Sequence, residues 1–225
     1  MPTYPPRAVV FVDGSNWYHS MKEAGITGSG ELDYAKLSRK LAGPGRAWIG
    51  TRFYIGPVNQ GEAPKLYADQ RRFLARMIST DSRITVHFGR LETRKVRNRC
   101  ATEVREYLAS LPFRIPTSAF HGLMAIAKLH EVVPVTAEKA VDVKLAVDMV
   151  MMAQRAEYDA AYLLSADGDF TPAVAAVLAL GKKAFVASPA KGAQLAAAAT
   201  TYIPLKTDFF ADCWYSPTNR PNADP

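Results

Sequence analysis

Short apolar runs recur along the chain, and most of them are separated by segments with a helical spacing of apolar positions. The runs that predict strands are 8–12, 48–55, 84–88, 160–164, 184–187 and 202–205. The segments that predict helices are 17–24, 33–41, 65–78, 140–154, 172–180 and 194–199. The first run contains no polar residue, which is typical of a strand covered on both faces of a parallel sheet. The alternation predicts an α/β fold, a three-layer α/β/α sandwich with a mostly parallel central sheet.

One long segment interrupts this alternation and is predicted to be an insertion. Residues 92–138 are basic at their start and carry Pro112, Pro116 and Pro134, with helices expected at 101–110 and 123–130. Long insertions in compact domains are usually lids or binding loops, so we expect this one to lie beside the functional site rather than form a second core. The chain is predicted to form one domain over residues 8–205, which includes this insertion, with a flexible N-terminus over 1–7 and a C-terminal tail over 206–225.

The composition is that of a globular protein. Of 225 residues, 48% are hydrophobic and 22% are charged, which excludes a disordered, collagenous or coiled-coil chain. No apolar run approaches the roughly 20 residues of a membrane span, and none suits a secretory signal, so a soluble protein without a membrane partner is expected. Only Cys100 and Cys213 are present, far apart in sequence. They favour neither a disulfide scaffold nor a cysteine zinc site, and a reducing cytoplasm is the expected location.

The net charge of +7 is concentrated in one part of the chain. Residues 65–105 hold eleven basic and four acidic residues, a surplus that equals the whole net charge. Such a segment suits a polyanion, because Lys and Arg near phosphates release condensed counterions. A solvated basic face that only serves solubility is the alternative. The residues predicted to contact nucleic acid are Arg94, Lys95, Arg97 and Arg99, and Tyr107 and Phe113 are candidates for stacking on bases.

Carboxylates follow two of the predicted strands directly. Asp13 comes directly after the first strand, with Asn16 one turn further on. The strand at 160–164 is followed by Ser165, Asp167 and Asp169. In a doubly wound sheet, ligands bind beyond the carboxyl ends of the strands, so these side chains are expected to converge. Each acid taken alone is also explained as a cap of the following helix.

A fourth acid is predicted from the helix at 140–154. Asp142 shares its helical face with Leu145, Ala146 and Met149, the apolar stripe expected to face the sheet. An ionised carboxylate on that face must be paired or bound to a cation, because an unpaired buried charge is costly. Stabilisation by the helix dipole is the simpler explanation of an acid in the first turn. Asp148 points about 120° away by helix periodicity, and a surface or supporting role is expected for it.

Clustered carboxylates without histidine or cysteine ligands select hard cations, which predicts Mg²⁺ or Mn²⁺ rather than zinc. His19, His87, His121 and His130 are scattered, without metal-ligand spacing. A magnesium site beside a basic segment indicates phosphodiester chemistry. The sequence contains no phosphate-binding glycine loop and no Gly-x-Ser-x-Gly nucleophile motif.

Three stretches together resemble the NYN domain family, the LabA-like branch of the PIN-like nucleases. They are 9–16 (VVFVDGSN), 141–148 (VDVKLAVD) and 163–170 (LLSADGDF), the last followed by Pro172, and the resemblance covers about residues 7–205. It implies a three-layer α/β fold and, in several members, metal-dependent ribonuclease activity. By position it implies a metal-binding cluster of Asp13, Asp142, Asp167 and Asp169. It further implies that Asn16 orients the Asp13 carboxylate or a metal-bound water, and that Ser165 supports the loop. Ala166 stands where many relatives have glycine.

The leading hypothesis is therefore a divalent-metal-dependent endoribonuclease that hydrolyses RNA phosphodiester bonds. The alternative is a non-catalytic RNA-binding or adaptor protein with the same fold. A third interpretation is an acidic-site phosphatase or a DNA nuclease. The sequence leaves open DNA as a partner and a homodimer as the assembly.

Overall fold

The computed structural model describes residues 4–111 and 116–215, apart from the Ser29 side chain; Phe113 therefore lies outside the described residues. The strands are Arg7–Asp13 (β1), Ala47–Ile55 (β2), Ile84–Phe88 (β3), Arg90–Arg97 (β4), Val132–Lys139 (β5), Ala160–Leu164 (β6), Lys183–Ser188 (β7) and Thr201–Pro204 (β8). The α-helices are Gly14–Glu23 (α1), Tyr34–Ala42 (α2), Pro64–Thr80 (α3), Arg99–Ser110 (α4), Thr117–Leu129 (α5), Val141–Gln154 (α6), Thr171–Ala179 (α7) and Ala193–Ala198 (α8). Short 3₁₀ helices lie at Ser29–Glu31, Gly168–Phe170 and Thr207–Phe210.

Six strands form one sheet in the order β3-β2-β1-β6-β7-β8, and each neighbouring pair is parallel. The chain builds the sheet outward from β1 to β3 and then returns to add β6 on the other side of β1. This reversal creates a switch point between β1 and β6, the place where ligands bind in open α/β sheets. The predicted three-layer α/β/α sandwich with a parallel sheet is confirmed.

A separate hydrophobic core fills each side of the sheet. On one side α1, α2 and α3 pack against β1 and β2, with Trp17, Leu37 and Met77 in the core. On the other side α6, α7 and α8 contribute Leu145, Val174 and Leu195. Because β1 has both faces covered, its run of apolar residues is buried throughout. This explains why the first strand carries no alternation of polar and apolar residues.

The first helix begins earlier than predicted. Residues 14–16 are Gly, Ser and Asn, which favour turns, so the helix was expected from residue 17. In the structure α1 starts at Gly14, because the Asp13 side chain caps it by accepting a hydrogen bond from the Asn16 backbone N–H. Gly14 also lies against β2, since a Cβ there would approach the Tyr54 carbonyl oxygen to 2.8 Å.

Of the described residues, 91–111 and 116–138 form a second compact unit, and 4–90 and 139–215 form the first. The second unit contains α4, α5 and a two-stranded sheet of β4 and β5. Among its described residues Ala101, Leu108 and Ala127 are buried. The two strands were not predicted. For β4 the reason is its sequence, RLETRKVR, in which charged residues leave no run of apolar residues to indicate a strand.

The domain extends past the predicted boundary at residue 205. Thr207–Phe210 is a 3₁₀ helix, Phe210 and Cys213 are buried in the core beside α1 and α2, and Trp214 forms an isolated bridge with Leu32. The prediction of a tail over 206–225 is therefore wrong for 206–215, and 216–225 lie outside the described residues. At the other end, Arg7 belongs to β1 and its backbone N–H donates to Asp159 (2.8 Å), so the predicted flexible N-terminus ends before it.

Among residues 4–111 and 116–215, no helix is both long enough and apolar enough to span a bilayer.

Candidate active site

Asp13 lies at the carboxyl end of β1 and is only 2% exposed. Each of its carboxylate oxygens accepts a hydrogen bond from a different segment. The Asn16 backbone N–H donates to Oδ1 (3.2 Å), and the Ser165 hydroxyl donates to Oδ2 (3.0 Å). The cap interpretation and the site interpretation of this residue are therefore compatible, because one oxygen caps α1 while the other faces the loop after β6.

Two further hydrogen bonds order the loop after β6, which carries Asp167 and Asp169. Val12 pairs with Leu164 across β1 and β6, which brings the next residue of each strand side by side. The buried Ser165 Oγ accepts from the Asp167 backbone N–H (3.1 Å), and Asp167 Oδ1 accepts from the Asp169 backbone N–H (3.0 Å). Asp167 is half-buried and Asp169 is exposed. The predicted support of this loop by Ser165 would act through these contacts.

Asn16 joins the two loops. Its side-chain Oδ1 accepts from the Ala166 backbone N–H (2.9 Å) and from the Ser20 hydroxyl (3.2 Å). The resemblance implied that this residue orients the Asp13 carboxylate, and in the structure its backbone N–H makes that contact. The side-chain oxygen instead fixes the distance between the tips of β1 and β6.

The expectation that Asp142 lies on the buried face of its helix is wrong. The buried stripe of α6 contains Leu145 and Met149 as expected, together with Val141 and Ala153, and Asp142 is exposed beside it. Because it stands in the first turn of α6, its charge still interacts with the Asp13, Asp167 and Asp169 carboxylates. All four predicted acids thus belong to one electrostatic cluster.

Asp148 belongs to a different group of side chains. The Tyr54 hydroxyl donates to its Oδ2 (2.8 Å), and the Arg52 guanidinium donates to the same oxygen (3.2 Å). The His87 ring stacks on Tyr54 with centroids 4.8 Å apart. Both hydrogen bonds join Asp148 to β2, and within the described parts of the chain none joins it to the acid cluster.

The acids alter one another's ionisation. The pKa of Asp13 is raised from 3.8 to about 6, mainly by burial and also by the charges of Asp142 and Asp167, against the lowering effect of its two hydrogen bonds. The pKa of Asp142 is also raised, first by partial desolvation of its carboxyl group and then by the charges of Asp167 and Asp169. A site that raises two carboxyl pKa values in this way favours a cation that neutralises the negative charge.

The donor chemistry of this cluster fits a hard divalent cation, since every candidate ligand is a carboxylate. As positioned, no three His, Cys, Asp or Glu side chains in the described parts of the chain form a group that holds a metal ion. Asp13 is fixed by its two hydrogen bonds, whereas Asp142 and Asp169 are exposed and their side chains can rotate. A carboxylate shell around one ion therefore requires rotation of the exposed acids toward Asp13.

The predicted nucleic-acid contacts lie in the second unit and are all exposed. Three belong to β4 and the fourth begins α4, where it forms an ion pair with Glu103 (2.7 Å); they are Arg94, Lys95, Arg97 and Arg99.

Sequence reasoning missed Gln194 at the acid cluster. A Cβ on Gly168 would lie 2.2 Å from Gln194 Oε1, so this amide covers the turn between Asp167 and Asp169. No sequence signal marks it, because α8 follows a strand that carries no acidic motif.

The fold, the switch point and the acids define the class as PIN-like α/β/α domains. The NYN domain model matches residues 7–206, and the chain belongs to the NYN domain family. The fold of that family is nuclease-like. Among solved structures, the chain is similar to a protein of unknown function from Vibrio parahaemolyticus RIMD 2210633, with 17% identity and a TM-score of 0.58 over 93% of this chain and 98% of that one. That likeness concerns the fold alone. A comparison with curated proteins finds no match.

Proposed function

We propose that the protein is a divalent-metal-dependent endoribonuclease. The observation that carries the proposal is the electrostatic interaction among four carboxylates from three chain segments near the carboxyl ends of β1 and β6, with Asp13 buried among them. A structural cap needs one acid at a helix start and gains nothing from two neighbouring acids that raise its pKa. A phosphodiester site needs such charge to bind the cation.

In this proposal, different residues bind the metal ion, position Asp13 and contact the RNA. Asp13, Asp142, Asp167 and Asp169 would hold Mg²⁺ or Mn²⁺, which supplies Lewis-acid activation of water and charge stabilisation at the attacked phosphate. The Ser165 hydroxyl and the Asn16 backbone N–H hold the buried Asp13 carboxylate in position. Rigid placement of this kind lowers the cost of orienting the reacting groups. The exposed basic residues of β4 would contact phosphates of the RNA.

The test is cleavage of a mixed panel of single-stranded and hairpin RNAs by the purified protein with Mn²⁺ or Mg²⁺. We expect cleavage that vanishes in EDTA and in Asp13→Asn and Asp167→Asn, while Asp33→Asn retains it. Asp33 is the matched control, because it is also a buried helix cap that accepts two backbone hydrogen bonds and lies outside the cluster. Circular RNA separates endonucleolytic from exonucleolytic action, and matching DNA strands test the substrate class. An intact panel together with no divalent binding by calorimetry would contradict the proposal.

A second candidate is a non-catalytic RNA-binding protein. It is favoured by the lack of a ready three-ligand group among the described residues and by the engagement of both Asp13 oxygens in hydrogen bonds. It predicts RNA binding with the same affinity in EDTA and in Mn²⁺, without cleavage in either. The same panel, read by anisotropy as well as by gel, distinguishes the two functions.

A further inference from the structure

The helices on the two sides of the sheet differ in their outer surfaces. Helices α2 and α3 together carry eight charged residues among 26, which give them the polar outer side of ordinary surface helices. Helices α6, α7 and α8, which pack in that order on the other side, carry three charged residues among 29. A helix that is apolar all round is typical of the interior of a protein or an assembly. We call the outer side of α6, α7 and α8 the apolar face.

The outer side of α6 is a ridge of large apolar side chains. Val143, Val147 and Met151 follow one another at intervals of four residues and are 65%, 52% and 38% exposed. This interval places them in one row along the helix. The buried stripe of α6, which includes Leu145 and Met149, lies on the opposite side of the helix. Packing in the core therefore does not explain why the ridge is apolar.

The outer side of α7, which packs beside α6, is a shallow apolar trough. Pro172, Ala175 and Ala179 are exposed there, and the sequence of α7, TPAVAAVLA, contains no charged residue. Because an alanine side chain ends at Cβ, the axis of another helix can approach this trough closely. Leu180, which is 42% exposed, stands at its end. The apolar face thus presents a ridge and a trough side by side.

The charge of the apolar face argues against a polyanion and against an anionic membrane. The exposed charged residues of its three helices are Asp142 and Lys144 at the start of α6, and their charges cancel. The third, Asp148, is bonded to Arg52 and Tyr54 of β2. RNA and anionic lipid both select surfaces with an excess of Lys and Arg. In a chain of net charge +7, a neutral apolar face is where two copies can meet without like-charge repulsion.

The size and shape of the apolar face fit a second copy of the chain. Helix α6 has 14 residues and spans about 21 Å, and three helices about 10 Å apart cover a width of about 30 Å. The flat area of the layer is therefore roughly 600 Å², and the accessible surface that follows the side chains is larger, which compares with about 800 Å² per partner in specific dimers. In a twofold dimer the ridge of each copy can lie in the trough of the other, so that both contacts are identical.

We propose that the protein forms a homodimer through the apolar face, with α6 of each copy packed against α7 of the other. Val147, at the middle of the ridge, lies over Ala175 and Ala179 of the other copy. Asp142 and Lys144 lie at the rim of the interface, as charged residues do in homodimers. The ridge and the trough contain none of the residues assigned to the metal, so the proposal does not depend on nuclease activity.

The test is sedimentation of the full chain in EDTA and without RNA. Val147→Glu and Ala175→Lys each place a charge at an exposed position of the proposed contact, so the single chain should still fold, and circular dichroism with thermal melting checks this. Ile78→Glu is the matched control. Ile78 is an aliphatic residue that is 46% exposed and belongs to α3, on the other side of the sheet.

We expect the wild type and Ile78→Glu to sediment as dimers at about 10 μM. Val147→Glu and Ala175→Lys should each weaken the dimer about a hundredfold, because each variant dimer buries two unpaired charges. An equimolar mixture of these two variants should recover the dimer. In the mixed dimer the glutamate of one copy meets the lysine of the other at one contact, and the second contact is that of the wild type.

Three results would overturn the proposal. One is a wild type that remains a single chain at about 100 μM, whether or not it binds vesicles of neutral lipid, the other apolar occupant. Another is a dimer that both charged variants leave intact, or that only Ile78→Glu dissociates, since the interface then lies elsewhere. The third is dissociation of both variants without recovery in the mixture, which contradicts the packing of α6 against α7.

Discussion

Asp13→Asn is expected to stabilise the metal-free protein at neutral pH. The pKa of Asp13 is about 6 in the folded protein against 3.8 for an ordinary aspartate, mainly because the carboxyl group is buried. The folded state therefore binds this proton more tightly than the unfolded state, and stability falls as the pH rises from about 4 through 6. Asparagine does not ionise, so the variant avoids that loss. Its Oδ1 can still accept the capping bond from Asn16, since Asn and Asp are nearly equivalent N-caps.

The size of the effect follows from the two pKa values. A difference of about two units at about 1.4 kcal/mol per unit corresponds to about 3 kcal/mol at pH 7.5. At pH 4 the folded protein carries Asp13 protonated and the unfolded chain is about half ionised, so the gain is only about 0.5 kcal/mol. The advantage of the variant thus grows with pH and saturates above the folded pKa.

Urea denaturation in EDTA at pH 4, 5.5 and 7.5 measures this dependence. Asp33→Asn is the control, because Asp33 is a buried N-cap whose Oδ1 accepts from Ala35 and Lys36, with the Lys36 ammonium 3.9 Å from its other oxygen. No gain is expected for it. A gain for Asp13→Asn that is independent of pH, or a loss of stability at pH 7.5, would refute the account of a buried, electrostatically opposed carboxylate.

Four further predictions follow from the same contacts. Ser165→Ala removes the donor to Asp13 and the acceptor of a buried backbone N–H, and should lower the free energy of unfolding by about 1–3 kcal/mol in urea titrations; no loss would mean that the network is not formed. Gly14→Ala places a Cβ 2.8 Å from a β2 carbonyl oxygen and should destabilise by about 1–3 kcal/mol in calorimetry, whereas Gly45→Ala, with nothing within 4 Å, should not. Mn²⁺ affinity by calorimetry should weaken as the pH drops below about 6, since the cation then displaces a proton from Asp13; a flat profile argues against this ligand. The last prediction concerns four basic residues, Arg94, Lys95, Arg97 and Arg99. Replacing them by Gln should reduce the slope of log K against log salt for RNA binding by about 0.7 for each phosphate that is no longer neutralised, equally for unrelated sequences. An unchanged slope would mean that the RNA binds elsewhere.

The sheet was predictable because its strands are marked by simple patterns. Buried parallel strands need apolar residues on both faces, and β1, β6 and β7 carry such runs with little interruption. Every predicted strand is present with bounds that differ by at most one residue. The failures occur where packing rather than pattern determines structure. β4 has a charged sequence, and the chain after residue 205 packs through aromatic side chains on the first core.

The positions of the acids in the candidate site could be predicted from the sequence, but their burial and contacts could not. A carboxylate directly after a buried strand must lie at the carboxyl edge, so the positions of Asp13 and Asp167 follow from the strands alone. The exposure of Asp142 does not follow, because the stripe at 145, 149 and 153 is buried as expected while Asp142, in the first turn, lies at its exposed border. The contact of Gln194 with the turn at Gly168 joins segments distant in sequence, and no local pattern indicates it.

The hydrogen bonds of Asp13 explain why a destabilising charge persists in the fold. Its two donors come from α1 and from Ser165, so the carboxylate couples the start of a helix to the tip of β6. Asparagine would fill the capping position equally well and without the cost of ionisation. A residue that only held the two segments together would therefore be better as an amide. An acid that lowers stability at this position is understandable if its negative charge is needed for function. Binding of a cation at the switch point would be such a function, because the cation neutralises the acids and relieves their mutual repulsion.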